Sequence, residues 1–203
     1  MACGDVDVKE GVGSKVFACP RLYKTKVRLI NLLNRTKDLG VNGLIEGKRV
    51  LDLGCGPFVY VYDPEKPALR VGLDRSLPFV AYGAHTDPSG SYLVGDAARI
   101  PCADRSFDVV LLSYLLHHLP PEIVPAVLQE AARISREYIV ITDHLQSESG
   151  FARRIKSLWW RTDGGYRYYT PEEWRRLLES FEVVRELHTG VLFRNIYKVV
   201  CRV

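Results

Sequence analysis

The sequence predicts an α/β fold: a doubly wound, mostly parallel seven-stranded sheet that ends in an antiparallel strand pair. Three observations predict it. Short runs rich in Val, Ile and Leu alternate with helical patterns from residue 49 to 143, and such alternation builds a parallel sheet. The runs are almost uninterrupted by polar residues, as strands covered on both faces are. The last two strand patterns, at 181–187 and 195–203, have no helix between them, and so short a link joins antiparallel neighbours.

The elements follow in order. Residues 1–18 lack periodicity. From Pro20 onward, Tyr23, Val27, Ile30 and Leu33 recur at helical spacing, which predicts a helix over 20–37 within an N-terminal helical cap, 1–44. RVLDL at 49–53 is a strand stopped by Gly54. ALRVGLD at 68–74, SYLVGD at 91–96, FDVVLLS at 107–113 and EYIVITD at 137–143 are the next four strands. Between the last two of these, Ile123, Val127, Leu128, Ala131 and Ile134 form one helical face, opened by Pro120-Pro121. Residues 144–169 break the alternation and read as an insert or lid over a substrate cleft, with a helix at about 150–161. Thr170-Pro171-Glu172-Glu173 is a capping box with Pro at the first helical position, so a helix starts there.

Length and composition fit one domain, 1–203. The chain has 203 residues and a mass of 23.0 kDa, and is 47% hydrophobic and 26% charged, as a globular domain is. That excludes disordered, collagen-like and coiled-coil classes. No apolar run approaches 18 residues, so no transmembrane helix is expected, and the first ten residues lack the apolar core of a secretory signal. The five cysteines include no CxxC pair. We therefore expect neither a disulfide framework nor a metal site, and a reducing, cytoplasmic setting. A net charge of +4 does not call for nucleic acid as a partner.

In an open α/β sheet, ligands bind outside the carboxyl ends of the strands. The first strand ends Asp52-Leu53-Gly54-Cys55-Gly56-Pro57, where two glycines let the backbone approach a ligand. The second ends at Asp74, 18 residues after Gly56. A carboxylate there can accept both hydroxyls of a ribose. The third ends Gly95-Asp96-Ala97, where a carboxylate can accept from an adenine amino group, and the fourth ends Ser113-Tyr114.

VLDLGCGP at 50–57, GLDRS at 72–76, GDAARIP at 95–101 and FDVVLLSYLLHHL at 107–119 resemble the successive motifs of class I S-adenosylmethionine-dependent methyltransferases. The flavour resembles the ubiquinone/menaquinone biosynthesis group. The resemblance covers about 45–143, implies the Rossmann-like methyltransferase fold, and names the cofactor, S-adenosyl-L-methionine, rather than the substrate. It implies that Gly54, Cys55 and Gly56 pack against the cofactor and that Asp52 lies near its methionine amino group. It places Asp74 on the ribose with Arg75 beside it, and Asp96 and Ala97 on the adenine. Ser113 meets the methionyl end, and Tyr23 closes over the cofactor. The sequence departs from the pattern at Phe58, where a third Gly is usual, and at Pro64 and Pro67, which a regular first helix would not tolerate.

Methyl transfer is an in-line displacement dominated by positioning, worth roughly 7–11 kcal/mol, with a general base adding about 3–5 kcal/mol. His117, His118, His144 and Asp143 are the candidate bases, with His118, His144 and Asp143 preferred. Asp143 and His144 follow the fifth strand at the mouth of the presumed cleft, and His117 reads as a loop-stabilising neighbour. Ser113-Tyr114-Leu115-Leu116 lacks the Asn/Asp-Pro-Pro-aromatic motif of amine-directed nucleic-acid enzymes, which disfavours nucleic acid as substrate. The expected acceptor is a small-molecule, lipid- or quinone-like compound. Phe151, Ile155, Leu158 and Trp159 oppose Arg153, Arg154, Lys156 and Arg161, a pattern that fits a lid and also allows peripheral membrane contact. Trp159, Trp160, Tyr166, Tyr168 and Tyr169 add flat apolar area for the acceptor. Two alternatives stand beside this reading: a methyltransferase acting on protein or RNA, and a cofactor-binding protein without methyl transfer. A dinucleotide oxidoreductase is disfavoured because Val59 stands where GxGxxG needs its last Gly. The oligomeric state is left open.

Overall fold

The computed structural model describes residues 43–57, 66–146, 165–191 and 194–203. The 1–44 cap is outside the described residues apart from its last two. The helices at 20–37 and 150–161, Tyr23, Phe58 and Pro64 lie outside them entirely. Seven strands form one sheet: β1 (Arg49–Leu53), β2 (Leu69–Asp74), β3 (Ser91–Val94), β4 (Phe107–Ser113), β5 (Ser135–His144), β6 (Glu182–Val191) and β7 (Arg194–Arg202). Their order is β3-β2-β1-β4-β5-β7-β6. The first five strands run parallel, and β7 is antiparallel to both β5 and β6. The order reverses between β1 and β4, which places the switch point beside Gly54 and Ser113.

Each strand's alternation sorts its side chains between two faces. Leu51, Leu53, Val71, Leu73, Val110, Leu112, Ile139 and Ile141 share one core cluster, and Val50, Val109, Leu111, Val140 and Val200 join Ile45 in another. The helix α1 (Leu77–Thr86) starts with Pro78 in its first turn and buries Phe79 and Val80. Its Gly83 is needed for packing, since a Cβ there would stand 2.5 Å from the Tyr92 ring. The helix α2 (Val124–Ile134) buries Val124, Val127, Leu128, Ala131 and Ile134, the predicted stripe. The short helix α3 (Pro171–Leu177) carries the full capping box: Thr170 accepts from the Glu173 amide, and Glu173 accepts from the Thr170 amide at 2.8 Å. It sinks Trp174 against Tyr169 and Tyr197.

Several boundaries differ from expectation. β3 stops at Val94, because Gly95 donates back to Asp74 and Asp96 turns into a bridge with Arg99. α2 opens at Val124, with Pro125 rather than Pro120-Pro121 in its first turn. β5 runs on through His144, because β7 pairs with it to that residue. The insert therefore begins after the strand, and its two ends are pinned together by a bridge between Leu145 and Tyr169. Tyr169 is itself part of the core, so it supplies packing for α3 rather than a face for a substrate.

Candidate functional site

At the carboxyl end of β1 the chain turns on two glycines in the left-handed region, Gly54 (φ +74°) and Gly56 (φ +62°). The turn is fastened to the end of β2. The Leu73 carbonyl accepts from the Gly54 amide at 2.7 Å and from the Cys55 amide at 3.1 Å. Asp74 completes the fastening: one carboxylate oxygen accepts from the Gly56 amide at 2.9 Å and the other from the Ser76 amide at 2.8 Å. Parallel pairing of β1 with β2 thus brings Asp74 and the glycine turn together across 18 residues of chain.

The Gly56 and Ser76 amides take one position on each Asp74 oxygen and the Arg75 amide also leans on the carboxylate, which as an ion has about four acceptor positions in all, so that not every position is filled. Capacity remains for a hydroxyl donor. Burial pushes the Asp74 carboxyl above its ordinary value, against the pull of the Ser76 and Gly56 amides and the Arg75 charge. Arg75 is exposed beside it. Asp96 is exposed at the end of β3, shaped by a bond from the Ala98 amide to its Oδ1 at 2.9 Å, with Ala97 half-buried next to it. Glycine turn, acid at the second strand and acid at the third are the polar groups that a nucleoside needs, and they lie along one sheet edge.

Other expected residues sit deeper. Asp52 is fully buried within β1, and Cys55 is buried in the turn. Burial, with Asp52 and Asp74 nearby, pushes the Cys55 thiol far above its ordinary value, so it stays neutral. Ser113 closes β4, largely buried. Tyr114 then takes a left-handed conformation, φ +55°, and its amide donates to the Thr142 carbonyl at 2.7 Å. Backbone strain of this kind costs of order 1–3 kcal/mol and clusters at functional sites. Leu115 lies against the glycine turn: a Cβ on Gly54 would fall 2.6 Å from its Cδ1.

A 3-10 turn at Leu116–His118 follows. Asp143, expected at the mouth of the cleft, is instead fully buried beneath this turn. It accepts from the His117 amide at 3.1 Å and the His144 amide at 2.6 Å, and contacts His117 Nδ1 at 2.5 Å. Burial would raise its carboxyl, but His117, by charge and hydrogen bond, and His144 together hold it below its ordinary value. His144 is buried too, while His118 is half-exposed. Their rings cluster: His118 lies 3.9 Å and His144 4.9 Å from His117, centroid to centroid. Tyr168 and Tyr114 flank His144 at 4.9 and 5.1 Å. The Tyr166 amide donates to the His117 carbonyl at 2.7 Å, which ties the return limb of the insert to this turn.

His117, a candidate base that the sequence favours as a loop-stabilising residue, is the one joined to Asp143. Its signal is tertiary: the register Ser113↔Thr142 sets Asp143 just beyond the residues that close β4. Tyr168 was read as substrate-facing, and it packs on the two buried histidines instead.

Residues 50–137 match the family model described as "Methyltransferase domain". A demethylmenaquinone methyltransferase of Beutenbergia cavernae is 36% identical over 103 residues, which are 50% of this chain and 42% of the relative. The chain thus spans about two-fifths of the length of that relative. Among solved structures, magnesium protoporphyrin IX methyltransferase from Synechocystis, with bound S-adenosylhomocysteine, has a TM-score of 0.64 at 17% identity, covering 99% of this chain and 90% of that one. A complex of the Haloferax volcanii Trm112 methyltransferase activator with a methyltransferase has a TM-score of 0.72 at 18% identity, covering 94% and 96%.

Proposed function

We propose that residues 50–137, which match a methyltransferase domain, form a class I S-adenosylmethionine-dependent methyltransferase domain, and that the chain is an enzyme that transfers a methyl group to a small molecule with an apolar body. The observation that carries the cofactor assignment is Asp74, locked to the glycine turn through the Gly56 amide with acceptor capacity to spare. Asp74 holds the ribose hydroxyls, Gly54 and Gly56 let the backbone approach, and Asp96 with Ala97 takes the adenine. Bound there, the cofactor supplies an electrophilic methyl group on a sulfonium. Tyr114, half-exposed beside the imidazoles, offers the acceptor an apolar wall with a polar tip. The Beutenbergia relative, a demethylmenaquinone methyltransferase, is consistent with a quinone-like body for the acceptor.

Calorimetry on the full chain tests the assignment. S-adenosylmethionine and S-adenosylhomocysteine are expected to bind, with NAD weaker than both. Tighter NAD binding overturns it.

A second reading concerns a protein partner, since the Haloferax neighbour is a complex with an activator. The two sheet edges differ. β6 carries Glu182, Arg185, Glu186 and His188, charges of the kind that block edge pairing. β3 carries none, and Leu93, Val94 and the nearby Leu77 are exposed. A partner that adds a strand to β3 would sit next to Asp96 and buttress the adenine end of the site.

A further inference from the structure

We propose that the turn after β4 is a proton-accepting site for an acceptor that carries an ionisable hydroxyl, in which His118 takes the proton and Asp143, acting through His117, positions the imidazoles. The proposal rests on the methyltransferase reading above. It concerns the acceptor side, which the comparisons leave open.

A buried carboxylate is costly unless it is paired and hydrogen-bonded. Among the described residues, Asp143 meets that condition through this turn and the end of β5: the His117 amide, the His117 ring and the His144 amide. An ionised carboxylate can only accept. Nδ1 of His117 therefore carries a hydrogen toward Asp143. The His117 ring is held from below, and His118 lies against it at 3.9 Å between centroids, tilted by 41°. His118 is the half-exposed member of the trio, so it is the one that can meet an acceptor. Among the described residues, the titratable groups of this cluster are His117, against which His118 lies, and around His117 and His144 the Asp143 carboxylate, Tyr114 and Tyr168. Leu115, two residues before His117, lies against the glycine turn. The imidazoles thus stand beside the place where the cofactor's sulfur end is expected.

The chemistry explains the arrangement. A carboxylate acceptor is already an anion and needs no base. A phenol or hydroquinone must lose a proton as it becomes nucleophilic. In the step, the acceptor O–H bond breaks and its proton passes to the His118 imidazole. The freed electron pair drives formation of the bond to the methyl carbon, at oxygen or at a conjugated ring carbon. The S–CH3 bond breaks and its electrons stay on sulfur, leaving a neutral thioether. With a ring-carbon acceptor, the hydrogen on that carbon leaves afterwards to solvent as the hydroxyl is restored. His118 then returns its proton to solvent, and the Asp143 charge behind His117 offsets the transient cation.

The test uses the full chain, S-adenosylmethionine and 1,4-naphthohydroquinone kept reduced under anaerobic conditions. His118→Gln is expected to lower kcat by roughly 10²–10⁴-fold, with S-adenosylhomocysteine affinity unchanged by calorimetry. The loss should shrink as pH approaches the hydroquinone's own ionisation. Asp143→Asn removes an anion behind the imidazoles, so the acidic limb of the kcat/KM profile should move to lower pH. Wild-type kcat and an unaltered profile in His118→Gln overturn the proposal, whether or not the buried Asp143→Asn variant folds. So does methylation of dodecanoate, but not of the hydroquinone, by the wild type. Absence of S-adenosylhomocysteine binding by the wild type would instead overturn the methyltransferase reading beneath it.

Discussion

At the scale of single residues, Asp74 has two duties that pull its ionisation in opposite directions. Burial raises its carboxyl above the ordinary value in the free protein, whereas ribose hydroxyls donating to it favour the anion. Cofactor affinity should therefore fall as pH drops through the raised Asp74 value, and calorimetry across mildly acidic pH would display it. Folding stability shows the opposite slope: between the ordinary and raised values the fold binds more protons than the unfolded chain, so stability falls as pH rises through that window. Asp74→Ala should weaken S-adenosylhomocysteine binding about 10- to 100-fold, the worth of charge-assisted hydrogen bonds, and should flatten the affinity profile. Gly54 acts differently. A Cβ there would fall 2.6 Å from the Leu115 side chain, on a left-handed backbone as well. Leu115 can yield at its flexible end, so Gly54→Ala should cost about 1–2 kcal/mol from the backbone alone. Urea unfolding would measure that cost, and an unchanged midpoint would show that the turn relaxes.

At the scale of elements, α3 is seven residues long and too short to be stable by propensity. It persists because its start is reciprocally capped and because Trp174 is buried among aromatic rings. Thr170→Ala should destabilise the chain by about 1 kcal/mol, seen as a lowered urea midpoint with little change in slope. The same helix follows the limb that ties Tyr166 to His117. Loosening it should therefore weaken turnover more than cofactor binding.

At the scale of the whole molecule, one sheet edge is guarded by charge and the other is not. If β3 receives a partner strand, Val94→Lys should abolish capture of a co-expressed activator of the Trm112 type while S-adenosylhomocysteine binding persists. Equal capture by wild type and variant would assign the exposed Leu93 and Val94 to ordinary surface. The sheet also places the chemistry. The reversal of strand order between β1 and β4 opens the crevice, and the five parallel strands deliver their carboxyl ends to one rim.

The sequence by itself determined the strands, the α2 stripe, the capped start of α3 and the acids that end β2 and β3. These depend on local periodicity and on turn and cap chemistry, which neighbouring residues specify through the backbone. Only the tertiary structure decided that β7 lies inside β6, that Tyr169 is core, and that Asp143 belongs to His117 rather than to the cleft. Each of these depends on which strands become neighbours and in what register. His117 and Asp143 are 26 residues apart, and nothing in either segment's own pattern marks the pair. Their contact exists because β4 and β5 run parallel and in register, and because a carboxylate shut away from water is stable only where such a partner has been brought to it.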